Sequence, residues 1–328
     1  MKRRFQAVTG VRRSGVYLGA VAALHLLGIV LLAMNLGPHP ELLAVGVLAY
    51  TLGLRHAFDP DHIAAIDNSV RRFVQAKTHA HGTGFWFSLG HSSVVFLMAF
   101  GLAFGGNWVA QSWPQWKEWG GVIGPAVSGT FLVSIGLVNL VLWWDVWTLF
   151  QSLRRGEVQV DTPIAGPQGF FVRFLQPLFR LVTKSWHLYP LGFLFGLGFD
   201  TASEIALLAL STQGAAQSLP WTAILALPLL FASGMSLLDT VDGLFMTKAY
   251  GWSLISPLKK VYYNLSVTGL SVFVAIVIGG VELAQVAGWQ PVEGIELGDL
   301  GFFLAGTFVV AWLVSWGTWK VLRLEKGR

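Results

Sequence analysis

This sequence predicts an all-α, polytopic membrane protein of about eight transmembrane helices, and three observations predict it. Hydrophobic residues make up 54% of the 328 positions and charged residues only 12%, about half the charge of a soluble domain. The apolar residues gather into stretches near the ~20 residues that a helical crossing needs. All but Lys117 and Arg55 of the 22 lysines and arginines fall at the termini or in alternate connections between those stretches. Under the positive-inside rule that pattern places both termini in the cytoplasm, in agreement with an even number of crossings.

The first span, near 16–35, follows Lys2, Arg3, Arg4, Arg12 and Arg13. Its basic flank resembles that of a signal peptide, but it lacks a convincing small-residue cleavage site and is read as a crossing. The second and third spans lie near 42–66 and 84–106, joined by a basic connection with Arg71, Arg72 and Lys77. A fourth, near 121–145, ends at Asp145 among Trp143, Trp144 and Trp147, an interfacial belt. The connection 151–186 carries Gly156, Pro163, Gly166, Pro167 and Gly169, and its stretch FFVRFLQPLFRLVTK suits the inner membrane surface. Spans near 188–211, 219–245, 261–284 and 299–322 complete the chain, the seventh opening on the anchoring residues Tyr262, Tyr263 and Asn264. The expectation is one membrane domain over 1–328, with halves of about 1–150 and 187–328 joined by a cytoplasmic loop. A short echo, FDPDHIA at 58–64 against FDTASEIA at 199–206, points to an inverted repeat of two four-helix halves. Seven residues leave chance likeness as the other reading.

The second span is where ionisable groups enter the hydrocarbon. RHAFDPDHIAAIDN, from Arg55 to Asn68, holds two histidines, three aspartates and an arginine. Each such group costs roughly 2.5–3.5 kcal/mol on insertion scales, so it marks a function by default. On a regular helix His56, Asp59 and His62 share one stripe and Asp61 points away. Pro60 interrupts that helix, freeing backbone carbonyls and allowing Asp61 to turn toward the histidines. Further donors fall at overlapping depths: His91 in the third span, Asp200 and Glu204 (i, i+4) in the fifth, Asp239 and Asp242 (i, i+3) in the sixth. Imidazole with carboxylate is a ligand set for a first-row divalent ion, and the absence of cysteine removes the soft thiolate ligands. A satisfied polar network between helices is the plainer alternative. His25, His39, His79, His81 and His187 lie near span ends or in loops, where solvation is the simpler reading.

These motifs together resemble the signatures of the nickel/cobalt transporter family. RHAFDPDHIAAIDN matches the family's His-x4-Asp-His at His56, Asp61 and His62; LGHSSVV at 89–95, LGFDTASE at 197–204 and GMSLLDTVDG at 234–243 follow in order. The resemblance implies an eight-helix permease of a bacterial-type cytoplasmic or inner membrane that takes up Ni²⁺ or Co²⁺, with His56, Asp61 and His62 indispensable. Asp59, Asp200, Glu204, Asp239 and Asp242 then balance charge or relay the ion, His91 is a further candidate of the metal site, and Arg55 neutralises surplus carboxylate in the metal-free state. Related efflux permeases carry a His-rich loop between the halves; here that loop has only His187, which favours uptake. The expected ligand is the transported ion, with no further cofactor. A net charge of +5 follows topology, which argues against nucleic acid as a partner. No G-x4-G-K-[ST] pattern occurs, so no ATPase subunit is implied by the chain. An intramembrane metalloenzyme is the rival class, but neither H-E-x-x-H nor the His boxes of a desaturase are present.

Overall fold

The structure, a computed structural model, describes residues 11–104, 106–155, 182–198, 202–216, 219–253, 264–292, 295, 297 and 300–321. Among them the α-helices are α1 (Val11–Ala33), α2 (Leu42–His56), α3 (Pro60–Gln75), α4 (Thr83–Phe104), α5 (Gly106–Arg154), α6 (Leu188–Phe195), α7 (Ala202–Ala216), α8 (Trp221–Ser253), α9 (Gly269–Val286) and α10 (Leu300–Val321). Among the described residues, five stretches are long and apolar enough to cross a membrane: Ser14–Ala33, Thr83–Gly101, Glu118–Ser152, Trp221–Gly251 and Leu265–Val286. The pair α2 and α3, bent by 53° at its break, makes a sixth when counted as one crossing. The remaining expected spans fall on α6 with α7 and on α10, whose apolar part is Leu300–Ala311. The surface stretch at 170–184 and the anchors Tyr262 and Tyr263 lie largely or wholly outside the described residues.

The expected second span is two helices, and its sequence shows why. A residue before proline is pushed out of the helical region, and Asp59 is extended at φ −63°, ψ 137°. Pro60 then stands first in α3, where its missing N–H is no loss and its ring presets the helical φ. The proline therefore starts a helix after a break rather than kinking one that runs through it. α3 reads as polar, PDHIAAIDNSVRRFVQ, yet 13 of its 16 residues are buried. It is the central helix, packed against α4, α5, α8, α9 and α10. Arg71, expected in a cytoplasmic connection, is fully buried within it.

α8 sets the frame around α3 by packing on α1, α2, α3 and α4. Two of those contacts need glycine: a methyl at Gly53 would overlap the Phe231 carbonyl, and one at Gly84 would overlap the Asp239 carbonyl. Backbone approach of this kind is how helices associate where the lipid supplies no hydrophobic drive. α5 runs 49 residues, past Asp145 to Arg154, about 74 Å at 1.5 Å per residue and far more than a ~30 Å hydrocarbon core. Trp143 is more than a belt residue, since its Nε1 donates to the Leu265 carbonyl at 2.9 Å in the π-turn (Asn264–Thr268) that opens α9. His25 serves packing, with Nδ1 2.8 Å from the Val21 carbonyl and Nε2 3.2 Å from the Tyr50 hydroxyl.

Candidate metal site

Three of the predicted donors meet at the break between α2 and α3. His56 ends α2, His62 lies in the first turn of α3 and His91 comes from α4. They are 1%, 0% and 3% exposed, and one ring nitrogen from each lies within 4.8 Å of the others. His56 Nε2 is 2.9 Å from His91 Nε2. The start of α7 adds Glu204, whose Oε1 is 2.7 Å from His91 Nε2 and 3.9 Å from His56 Nε2. Two imidazole nitrogens and a carboxylate oxygen thus share one small space, with the edge of His62 beside it.

The histidines are aimed by carboxylates behind them. His56 Nδ1 lies 2.8 Å from Asp59 Oδ2. An aspartate before the first helical residue ordinarily caps the helix; Asp59 makes no cap bond and turns to the imidazole instead. His62 Nδ1 lies 3.2 Å from Asp239 Oδ2 on α8. A carboxylate on Nδ1 holds the proton there and leaves Nε2 as a lone pair, the arrangement that supports metal-binding histidines. His62 Nε2 and His91 Nδ1 are buried without a hydrogen-bond partner among the described residues. A buried polar atom left bare is costly unless something is to fill it. Rings close the walls: Phe231 stands 5.5 Å from His56 and Phe87 4.8 Å from His62, centre to centre.

The other predicted residues have distinct places. Asp61, in the first turn of α3, is half-buried and contributes no atom to the three-nitrogen group. Asp242 lies three residues beyond Asp239 on α8, its Oδ2 buried without a hydrogen-bond partner among the described residues. Asp200 lies outside the described residues. Arg55 Nη1 donates to Ser203 Oγ at 3.0 Å, tying the end of α2 to the start of α7 beside Glu204. Pro60 makes the break. Asn68 donates to the Ala64 carbonyl and accepts from Asn139 Nδ2 at 2.7 Å, linking α3 to α5 away from the imidazoles.

Sequence reasoning missed Phe87 and Phe231, since nothing marks one phenylalanine among 23 as a wall. It also missed the state of Asp67 and Arg71. Arg71 Nη2 lies 2.7 Å from Asp67 Oδ2 and donates to the Tyr250 hydroxyl at 2.7 Å; Nη1 donates to the Thr268 carbonyl at 3.2 Å. Tyr250 and Ser271 both donate to the Asp67 carboxylate. The i, i+4 spacing was the available signal.

Apolar helices around a buried knot of imidazole and carboxylate define a multi-pass membrane protein with an ionisable interior. The profile of the family described as high-affinity nickel-transport protein, NicO, matches residues 42–317. The nickel transporter NixA of Staphylococcus aureus is 49% identical over 321 residues, covering 94% of this chain and 95% of that relative. NixA of Helicobacter pylori (strain ATCC 700392 / 26695), a high-affinity nickel-transport protein, is 46% identical over 322 residues, 93% and 96% of the two chains. The cobalt transport protein NhlF of Rhodococcus rhodochrous is 37% identical over 318 residues, 92% and 90%. No solved structure matches. The chain belongs to the NicO nickel-transport family.

Proposed function

We propose that this protein carries Ni²⁺ or Co²⁺ into the cytoplasm through a site formed by His56, His62, His91 and Glu204. The observation that carries the reading is the convergence of three buried imidazoles, two of them backed by carboxylates, on one carboxylate oxygen. A first-row ion binds imidazole nitrogen at about 2.0–2.1 Å, so two such ligands at a right angle sit about 2.9 Å apart. The His56–His91 separation is 2.9 Å. His62 closes as a third ligand through its bare Nε2. Asp59 and Asp239 fix the rings, and with Glu204 they offset the charge of a divalent ion stripped of water. Asp61, Asp200 and Asp242 serve as charge along the route. The residue types suit nickel and cobalt alike, and the relatives' names include both nickel and cobalt transport.

The charge pattern supports eight crossings with both termini inside, and the loop between the halves, with only His187, favours uptake over efflux. The inverted repeat rests on its echoing motifs: Phe58–Asp59 lies between α2 and α3, and the described part of the second motif, from Ala202 to Ala206, opens α7. The membrane potential supplies the drive. At about 2.3 kcal/mol per charge per 100 mV, a divalent ion gains roughly 4.6 kcal/mol moving inward. Uptake of radiolabelled nickel and cobalt by proteoliposomes of the purified chain tests the reading. His62→Ala abolishes that uptake; a His62→Ala protein as active as the parent contradicts the assignment.

A further inference from the structure

A second buried polar cluster lies beyond the imidazole site. Arg71 is nine residues past His62 on α3, about 13 Å further along the helix and on its opposite face. Asp67 is the intrahelical partner of Arg71, and both are fully buried. Three neutral groups hydrogen-bond this pair from α8 and from the segment around α9. Tyr250 of α8 donates to Asp67 Oδ1 at 2.5 Å and accepts from Arg71 Nη2 at 2.7 Å. Ser271 of α9 donates to Asp67, and the Thr268 carbonyl, in the π-turn before α9, accepts from Arg71 at 3.2 Å. π-turns are frequent at functional sites, and this one places a main-chain carbonyl where a guanidinium meets it.

A buried charge stranded by separation from its partner is strongly destabilising. The Asp67–Arg71 pair belongs to one helix, so its own two charges stay together when α3 leaves α8 and α9, and the His62–Asp239 bond between α3 and α8 breaks in the same step. The bonds to Tyr250, Ser271 and Thr268 that break are bonds to neutral groups. We infer that Asp67, Arg71 and Tyr250 form a release latch, which holds α3, and with it His62, against α8 and α9 until the ion is passed on. This rests on the transport reading and adds to it residues that act on the ion only through α3. Arg71 is then a positioning residue.

The chain contains no cysteine, so one introduced thiol reports how often α3 opens. Ser69 is 1% exposed, its hydroxyl has no hydrogen-bond partner among the described residues, and it lies two turns from His62 on the same face of α3. In Ser69→Cys proteoliposomes, Tyr250→Phe removes two hydrogen bonds to charged groups and raises the rate of modification by a membrane-impermeant thiol reagent by at least about tenfold, the shift in population that loss of even one such bond gives. Ser271→Ala acts in the same direction, and equilibrium nickel affinity stays within about threefold of the parent. Thr240→Cys, 1% exposed on α8, serves as the reporter if Ser69→Cys fails to fold. An unchanged modification rate in both variants overturns the latch, as does a loss of nickel affinity and thermal stability together with no change in rate. Failure of the parent chain to take up nickel removes the transport reading instead, which the reporter rates do not depend on.

Discussion

His62 gives one ring nitrogen to Asp239 and leaves the other bare among His56 and His91. Most of this group is legible in the sequence, because histidine and carboxylate are too costly inside an apolar run to stand there without a task. The two acids beside Pro60 cannot be ranked that way. Resemblance makes Asp61 indispensable and Asp59 a charge balancer, whereas the fold turns Asp59 onto His56 and leaves Asp61 half-buried, a distinction set by the extended backbone at Asp59. Loss of an orienting carboxylate typically lowers metal affinity 10–100-fold, so Asp239→Asn weakens nickel binding by about that factor in calorimetry while the protein stays folded. Imidazole ligates only when neutral. Protons therefore compete as pH falls: uptake is flat from pH 7 to 8 and drops steeply below about pH 6. Undiminished uptake at pH 5 argues against histidine ligation.

At the scale of elements, the break between α2 and α3 shapes the site. Proline predicts an interruption there, but only the fold shows that Pro60 opens a new helix and lets the acid before it reach His56. α3 beyond residue 66 is hidden from hydropathy, which sees DNSVRRFVQ as a loop. A helix walled in by other helices can be polar, since its groups pair with protein rather than with lipid. Pro60→Ala lets α2 run toward α3, draws Asp59 into helical geometry and lowers nickel affinity about tenfold. Gly84→Leu forces α4 off α8 where Asp239 is held; such overpacking costs about 1–3 kcal/mol or more. It is measured as a lower melting temperature together with lost uptake.

At the scale of the whole molecule, the proposed transport needs a route for a cation between apolar helices and a potential to drive it. The apolar spans are legible from sequence, because hydrocarbon thickness imposes them; the basic connections are less so, since Arg71, counted in one of them, is buried in α3. Which spans surround which is not, since helix contacts such as Gly53 on Phe231 leave no periodic mark. Potential-driven uptake predicts that an inside-negative potassium diffusion potential of about 60 mV raises the accumulation ratio of a divalent ion about hundredfold. Whether imidazoles from α2, α3 and α4 hold the ion is decided by X-ray absorption at the nickel edge on the purified, nickel-loaded protein. The expected spectrum shows scattering from imidazole nitrogens near 2.1 Å that weakens in His56→Ala, His62→Ala and His91→Ala alike. An all-oxygen shell, or a spectrum that those substitutions leave unchanged, would contradict imidazole ligation.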